Sequence, residues 1–190
     1  MADLITLTDY KAYEGINSTQ HDARLEKIID SVSQLVKNYC GNSIIDFYSS
    51  DKTETFNIDW GTHIVQLTES PVVSVSSVQK RDSFTADYVT VPTTEYYLDT
   101  ATDSVLYVSG TSYLTWPRGA AAVKVIYRAG YSAVPKDLEI AVADLVTYYF
   151  KNEQTPRRTL SGATIEHQGT GDSKGFPDHI KRILDMYKNF

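Results

Sequence analysis

The spacing of the apolar residues changes twice along this chain, and that change limits the folds open to it. Between Asp22 and Cys40 they fall at Leu25, Ile28, Ile29, Val32, Leu35, Val36, Tyr39 and Cys40. This is the three-and-four spacing of one helix face. Asp22, Arg24, Glu26, Lys27 and Lys37 fall mostly on the other side. Gly41 then stops the helix, because glycine takes the left-handed conformation without a Cβ clash. From Ser43 to Gly130 the helical period is gone. Thr, Val, Ile, Tyr and Phe dominate, and runs such as Val123-Lys124-Val125-Ile126-Tyr127-Arg128 alternate apolar with polar, as half-buried strands do. At Pro135 the helical period returns, through Leu138, Ala141, Val142, Leu145, Val146 and Tyr149.

That order predicts an α+β fold, in which a small bundle of three to four helices carries a large antiparallel β insertion between its second and third helices. The insertion is expected to be a sandwich or a small barrel. Its strands are predicted at Ile44–Tyr48, Thr53–Ile58, His63–Thr68, Val73–Lys80, Glu95–Leu98, Ser104–Val108 and Ala122–Arg128. Thr6-Leu7-Thr8-Asp9 predicts a short first helix capped by Thr8 and ended by Gly15, and Asn17 and Ser18 offer caps for the second. Residues from about Glu153 to Gly175 hold Pro156, Arg157, Arg158 and four glycines, and are expected to form a long mobile loop or arm. Phe176-Pro177-Asp178 starts a last helix with Ile180, Ile183, Leu184 and Tyr187 on one side. One domain over 1–190 is the simplest organisation: N-terminal helices to 42, a β-rich insertion over 43–130, a third helix over 131–152, and the arm with its helix over 153–190.

The chemistry-bearing residues do not gather into a catalytic pattern. Gly171-Asp172-Ser173-Lys174-Gly175 has the spacing of a nucleophile elbow, but a strand must precede that motif, and Glu166-His167-Gln168-Gly169-Thr170 is polar. The same glycines lack the Lys-Ser/Thr pair of a phosphate-binding loop, since Gly175 follows Lys174. His21, His63, His167 and His179 lie on different elements without the i, i+4 pairing of a helical zinc site. Asp99 and Asp103 flank a turn rather than a calcium loop. Cys40, the one cysteine, falls on an apolar helix face and is expected to be a buried, inert thiol; no disulfide is expected. No cofactor, metal or membrane span is expected, nor a signal peptide at Met1-Ala2-Asp3-Leu4. A net charge of -6, from 18 basic and 24 acidic residues, argues against a protein whose main task is to grip nucleic acid phosphate. The 14 tyrosines and two tryptophans suit surfaces that are dry on one side and wet on the other, protein interfaces among them. Arg157 and Arg158 suit docking to an acidic patch or to phosphate.

These pieces, in this order, resemble the head-tail connector (adaptor, head-completion) proteins of tailed bacteriophages. Leu4 to Tyr13 looks like their short first helix, and Asp22 to Cys40-Gly41 like their long second one. The segment Leu67 to Val78, with Pro71, is similar to the proline-containing strand pair of longer members. Val123 to Tyr131 followed by Val134-Pro135-Lys136-Asp137-Leu138 and Ala141 is the most specific part, where the last strand joins the third helix. The chain departs from the pattern after that helix, where Gln154-Thr155-Pro156 separates Glu153 from Arg157.

The resemblance implies a non-enzymatic subunit of the virion neck, assembled in the host cytoplasm. It would form a ring, typically of twelve copies, dock on the portal protein, and link the DNA-filled head to the tail or to a stopper or tail-completion protein. Genomic DNA would pass through without sequence-specific binding. The residues expected to meet the portal or a neighbouring copy are Arg157, Arg158, Gly162, Gly169 and Gly171 on the arm, with Phe176, Ile183, Tyr187 and Phe190 around the last helix. The alternatives are another neck or tail-completion protein further from the portal, a β-rich binding module, or a hydrolase using Ser173.

Overall fold

The computed structural model describes residues 2–151, 157–160, 163–166 and 176–188. The chain divides into two compact units, Met1–Asn42 with Ala133–Lys188, and Ser43–Ser132.

The first unit is helical: α1 (Leu7–Glu14), α2 (Asp22–Cys40), α3 (Lys136–Phe150) and α4 (Asp178–Met186). Helix α1 is capped by Thr6, not Thr8. The Thr6 Oγ1 accepts the Asp9 N–H at 3.1 Å and donates to the Asp9 carboxylate at 2.6 Å, a reciprocal closure that needs the cap three residues before the acid. Gly15 (φ 67°) ends it. Helix α2 has His21 at its N-cap and no side-chain cap, so neither Asn17 nor Ser18 serves there. It buries Leu25, Ile29, Val32, Val36 and Cys40, but Leu35 is exposed. Lys37, expected on the wet side, is buried, and its Nζ reaches the Ala2 carbonyl at 2.7 Å. Helix α3 buries Leu138, Ala141, Val142, Ala143, Leu145 and Val146. Pro135 and Pro177 take the same extended cap geometry ahead of α3 and α4 (φ -56° in both), where the missing N–H is not needed. Tyr10 of α1 is fully buried, and its hydroxyl meets Thr147 of α3 at 3.0 Å.

The second unit is made of β1 (Lys52–Ile58), β2 (Ile64–Gln66), β3 (Val72–Lys80), β4 (Val89–Thr90), β5 (Tyr96–Asp99), β6 (Ser104–Ser109), β7 (Ser112–Tyr113) and β8 (Gly119–Ala129). They form two antiparallel sheets, one in the order β1-β8-β3-β4 and one in the order β2-β6-β5 with β7 paired to β6. Alternation along β8 sends Val123, Val125, Tyr127 and Ala129 inward, and β6 sends in Val105 and Tyr107. These join Ile58, Val65, Val78 and Trp116 in one core shared by both sheets, so the insertion is a two-sheet arrangement rather than a closed barrel.

The strand expected at Ile44–Tyr48 is instead a succession of turns. Ile44 stands at φ 68°, and its carbonyl accepts the Tyr131 N–H at 2.7 Å. Gly130 (φ 98°) permits this close crossing, because a Cβ there would sit 2.3 Å from the Ile44 oxygen. A half-buried polar knot ties the same end of the unit. Lys52 Nζ lies 2.7 Å from Glu54 and 2.9 Å from Glu69, and Glu69 accepts both the N–H and the hydroxyl of Ser43 at 2.8 Å. Burial alone would raise the Glu54 carboxyl, but hydrogen bonds from Lys52 and Thr68 outweigh it and hold that group below its usual range.

Beyond α3, where irregular chain was expected, the backbone forms an antiparallel hairpin of β9 (Arg157–Leu160) and β10 (Ala163–Glu166). Arg157 lies opposite Glu166 and Arg158 opposite Ile165. Local pairing satisfies backbone groups that a structureless loop would leave to water.

Candidate assembly surfaces

The last helix is spent inside the helical unit. Ile180 and Leu184 are fully buried, and Phe176 is buried with its ring edge-on to Tyr39 at 5.0 Å. The Tyr39 hydroxyl donates to Asp185 at 2.6 Å, and the Tyr187 hydroxyl donates to Asp137 of α3 at 2.6 Å. The hydrogen bond to Asp185 pushes the Tyr39 phenol up to about 12. Cys40 lies under this helix with its sulfur 3.7 Å from the Leu184 carbonyl, and burial pushes its thiol up to about 11. Of the residues expected to meet a partner, then, Phe176 and Tyr187 are engaged within the unit, and Ile183 is half-buried. Arg157 and Arg158 stand on β9. Gly162, Gly169, Gly171 and Phe190 lie outside the described residues, as do His167 and the segment Gly171 to Gly175.

A groove runs between α1 and α3. Its floor is Ile5 and Ala143, its walls are Tyr13 and Ile140, and Asp9, Lys136 and Glu139 line its rim; its volume is about 140 Å³. Tyr13 is 51% exposed and Ile140 48%. The Tyr13 hydroxyl donates to Asp144 at 3.0 Å, which holds the ring upright beside the groove. Lys136 pairs with Glu139 at 2.6 Å. Asp9 and Glu139 on the rim and Asp144 beside Tyr13 are set against Lys136, so the rim is acidic. Sequence reading missed this site. Ile140 lies off the stripe that α3 buries, and only its apolar character at an otherwise wet position marked it.

The outer face of the β2-β6-β5 sheet is apolar too. Ile64, Leu106 and Tyr97 line up in one cross-strand row. Tyr113 stands beyond them, its ring 4.5 Å from that of His63. Ile64, Tyr97 and Tyr113 are all exposed, on a sheet whose other face is already filled by the core. The loop after β3 is held stiffly: the Arg81 guanidinium donates to the carbonyls of Phe84, Ala120 and Ala121 at 2.9 to 3.0 Å and packs on the Phe84 and Tyr88 rings.

Among the described residues no group of three or more His, Cys, Asp or Glu side chains is placed to hold a metal ion. No helix among the described residues is long and apolar enough to cross a membrane. The features that stand out are exposed apolar surfaces set on helices and strands, of the kind that protein contacts use.

Comparison with known proteins points the same way. A family model described as head completion protein matches residues 3–190. The head completion protein of Escherichia phage T5 is 24% identical over 186 residues, spanning 97% of this chain and 98% of that protein. Among solved structures, a chain in the neck of an empty gene transfer agent particle, computed with C6 symmetry, superimposes with a TM-score of 0.64 at 14% identity, over 98% of this chain and 90% of that one. A chain in the neck of the native particle, computed with C12 symmetry, gives 0.59 at 15% identity, over 100% and 94%.

Proposed function

Because this chain belongs to the head completion protein family, we propose that it is a structural subunit of the virion neck, linking the DNA-filled head to the tail. The observation that carries this reading is the family match over residues 3–190, on an α+β chain of the same architecture as the neck chains. The subunit works by assembly and not by turnover. It forms a ring, of twelve copies by analogy with the C12 neck, docks on the portal protein, and extends the DNA channel toward a stopper or tail-completion protein. The overall negative charge suits a channel through which DNA moves without sequence-specific binding.

The hairpin segment is the part that engages the portal or a neighbouring copy, since the last helix has its apolar side on its own unit. Arg157 and Arg158 supply charge to that contact. Ordering one arm costs entropy, and a closed ring, in which every copy makes two contacts, offsets that cost collectively. Deleting residues 153–175 is expected to leave the helical unit folded and to abolish incorporation into heads. Purified variant and wild-type chains, added to heads that lack this protein, separate the outcomes. Normal incorporation of the deletion variant would refute the role of the arm. Heads that retain DNA and join tails with no chain added would refute the reading as a whole.

A further inference from the structure

We infer that the acidic groove between α1 and α3 is the receptor for the β9 strand of the next copy in the ring. This rests on the ring reading above and names its contact. Three observations meet here. The groove has an apolar floor, Ile5 and Ala143, between two exposed apolar walls, Tyr13 and Ile140. Both walls lie on rigid helices, so the slot is formed before anything enters it. At the groove, Asp9 and Glu139 on the rim and Asp144 under the Tyr13 hydroxyl stand against Lys136, so the rim is acidic.

The complement lies in the same chain. Arg157-Arg158-Thr159-Leu160 carries two cations and a leucine in four residues of an otherwise acidic protein. Its strand pairs only with β10 among the described residues. A two-stranded hairpin is marginal in water by itself and gains stability from a surface to lie on. Arginine beside carboxylates gives the contact its direction, because a planar guanidinium matches a carboxylate's two oxygens. The groove and the hairpin are different surfaces, so the contact is head-to-tail, and head-to-tail contacts that close make rings.

The test uses the full-length chain with a photo-crosslinking phenylalanine analogue in place of Ile140. Chains with natural and heavy nitrogen are mixed in equal amounts, both in solution at millimolar concentration and on heads lacking the protein. The expected product joins position 140 of one copy to the 157–166 peptide of another, in mixed-isotope pairs. Arg157→Glu with Arg158→Glu is expected to lower its yield at least tenfold. Adding Asp9→Lys and Glu139→Lys to that variant is expected to restore it. Cross-links from position 140 to the portal, or only within one copy, would overturn the inference, as would a yield indifferent to the arginine reversal. If the charge-swapped groove fails to fold, the arginine reversal alone still decides. Cross-linking in solution by a chain that never attaches to heads would spare this contact and sink the neck reading instead.

Discussion

Gly130 is the residue whose identity the fold constrains most tightly. A side chain there meets both a left-handed backbone and the Ile44 carbonyl 2.3 Å from its Cβ. Gly130→Ala is expected to cost at least ~2 kcal/mol, read as a lower urea midpoint with an unchanged slope. Lys52 and Glu54 give the strand-rich unit a pH response. The Glu54 pKa is lowered on folding, so its contribution is present above the unfolded carboxylate value of about 4.3 and is lost as pH falls through the lower folded value. The Lys52 pKa is raised, because the bonds to Glu54 and Glu69 overcome burial. Its contribution is therefore whole at neutral pH and is lost only as pH rises through that raised value. Urea midpoints should thus fall below pH 4, and in Lys52→Met, which strands Glu54 and Glu69 without their cation, the pH 7 midpoint should already be low. Cys40 is expected to react with thiol reagents at neutral pH about 100-fold more slowly in the folded chain than in urea, because burial holds its thiol near 11. Equal rates would mean that α4 does not cover it.

Among the elements, α4 is held by Ile180 and Leu184 and by the Tyr39–Asp185 hydrogen bond. Leu184 on its inner side is fully buried, and Leu184→Ala should cost about 2–5 kcal/mol, with Cys40 becoming reactive if the helix lifts. The sequence made α2, α3 and β8 legible because their apolar periods run over many residues. Boundaries and short pieces were not legible. Thr6 caps α1 instead of Thr8 because Asp9 answers it from three positions on, and either threonine looks alike in one dimension. Ile44–Tyr48 has strand composition, but Gly130, distant in sequence, lets the chain cross Ile44 and forces turns there. The strands β4 and β7 are two residues each, too short to show alternation. The β9-β10 hairpin was hidden by polar and glycine-rich flanks. The arginine pair could be named from sequence, but the groove could not, since it needs α1 and α3, more than a hundred residues apart, brought side by side.

On the scale of the whole molecule, the helical unit and the strand-rich unit each present exposed apolar surface outside their cores, Tyr13 and Ile140 on one and Ile64, Tyr97 and Tyr113 on the other. Exposed apolar surfaces of this kind mark contact sites. In the ring proposed above, such surfaces are where neighbours would meet. The most direct test is imaging by electron cryomicroscopy of heads completed with this chain, classified without imposed symmetry. The account predicts a closed ring of this subunit at the portal vertex, with the four-helix unit and the two-sheet unit both accounted for in each copy. Density for the chain anywhere but the neck, or single copies there without a ring, would contradict it.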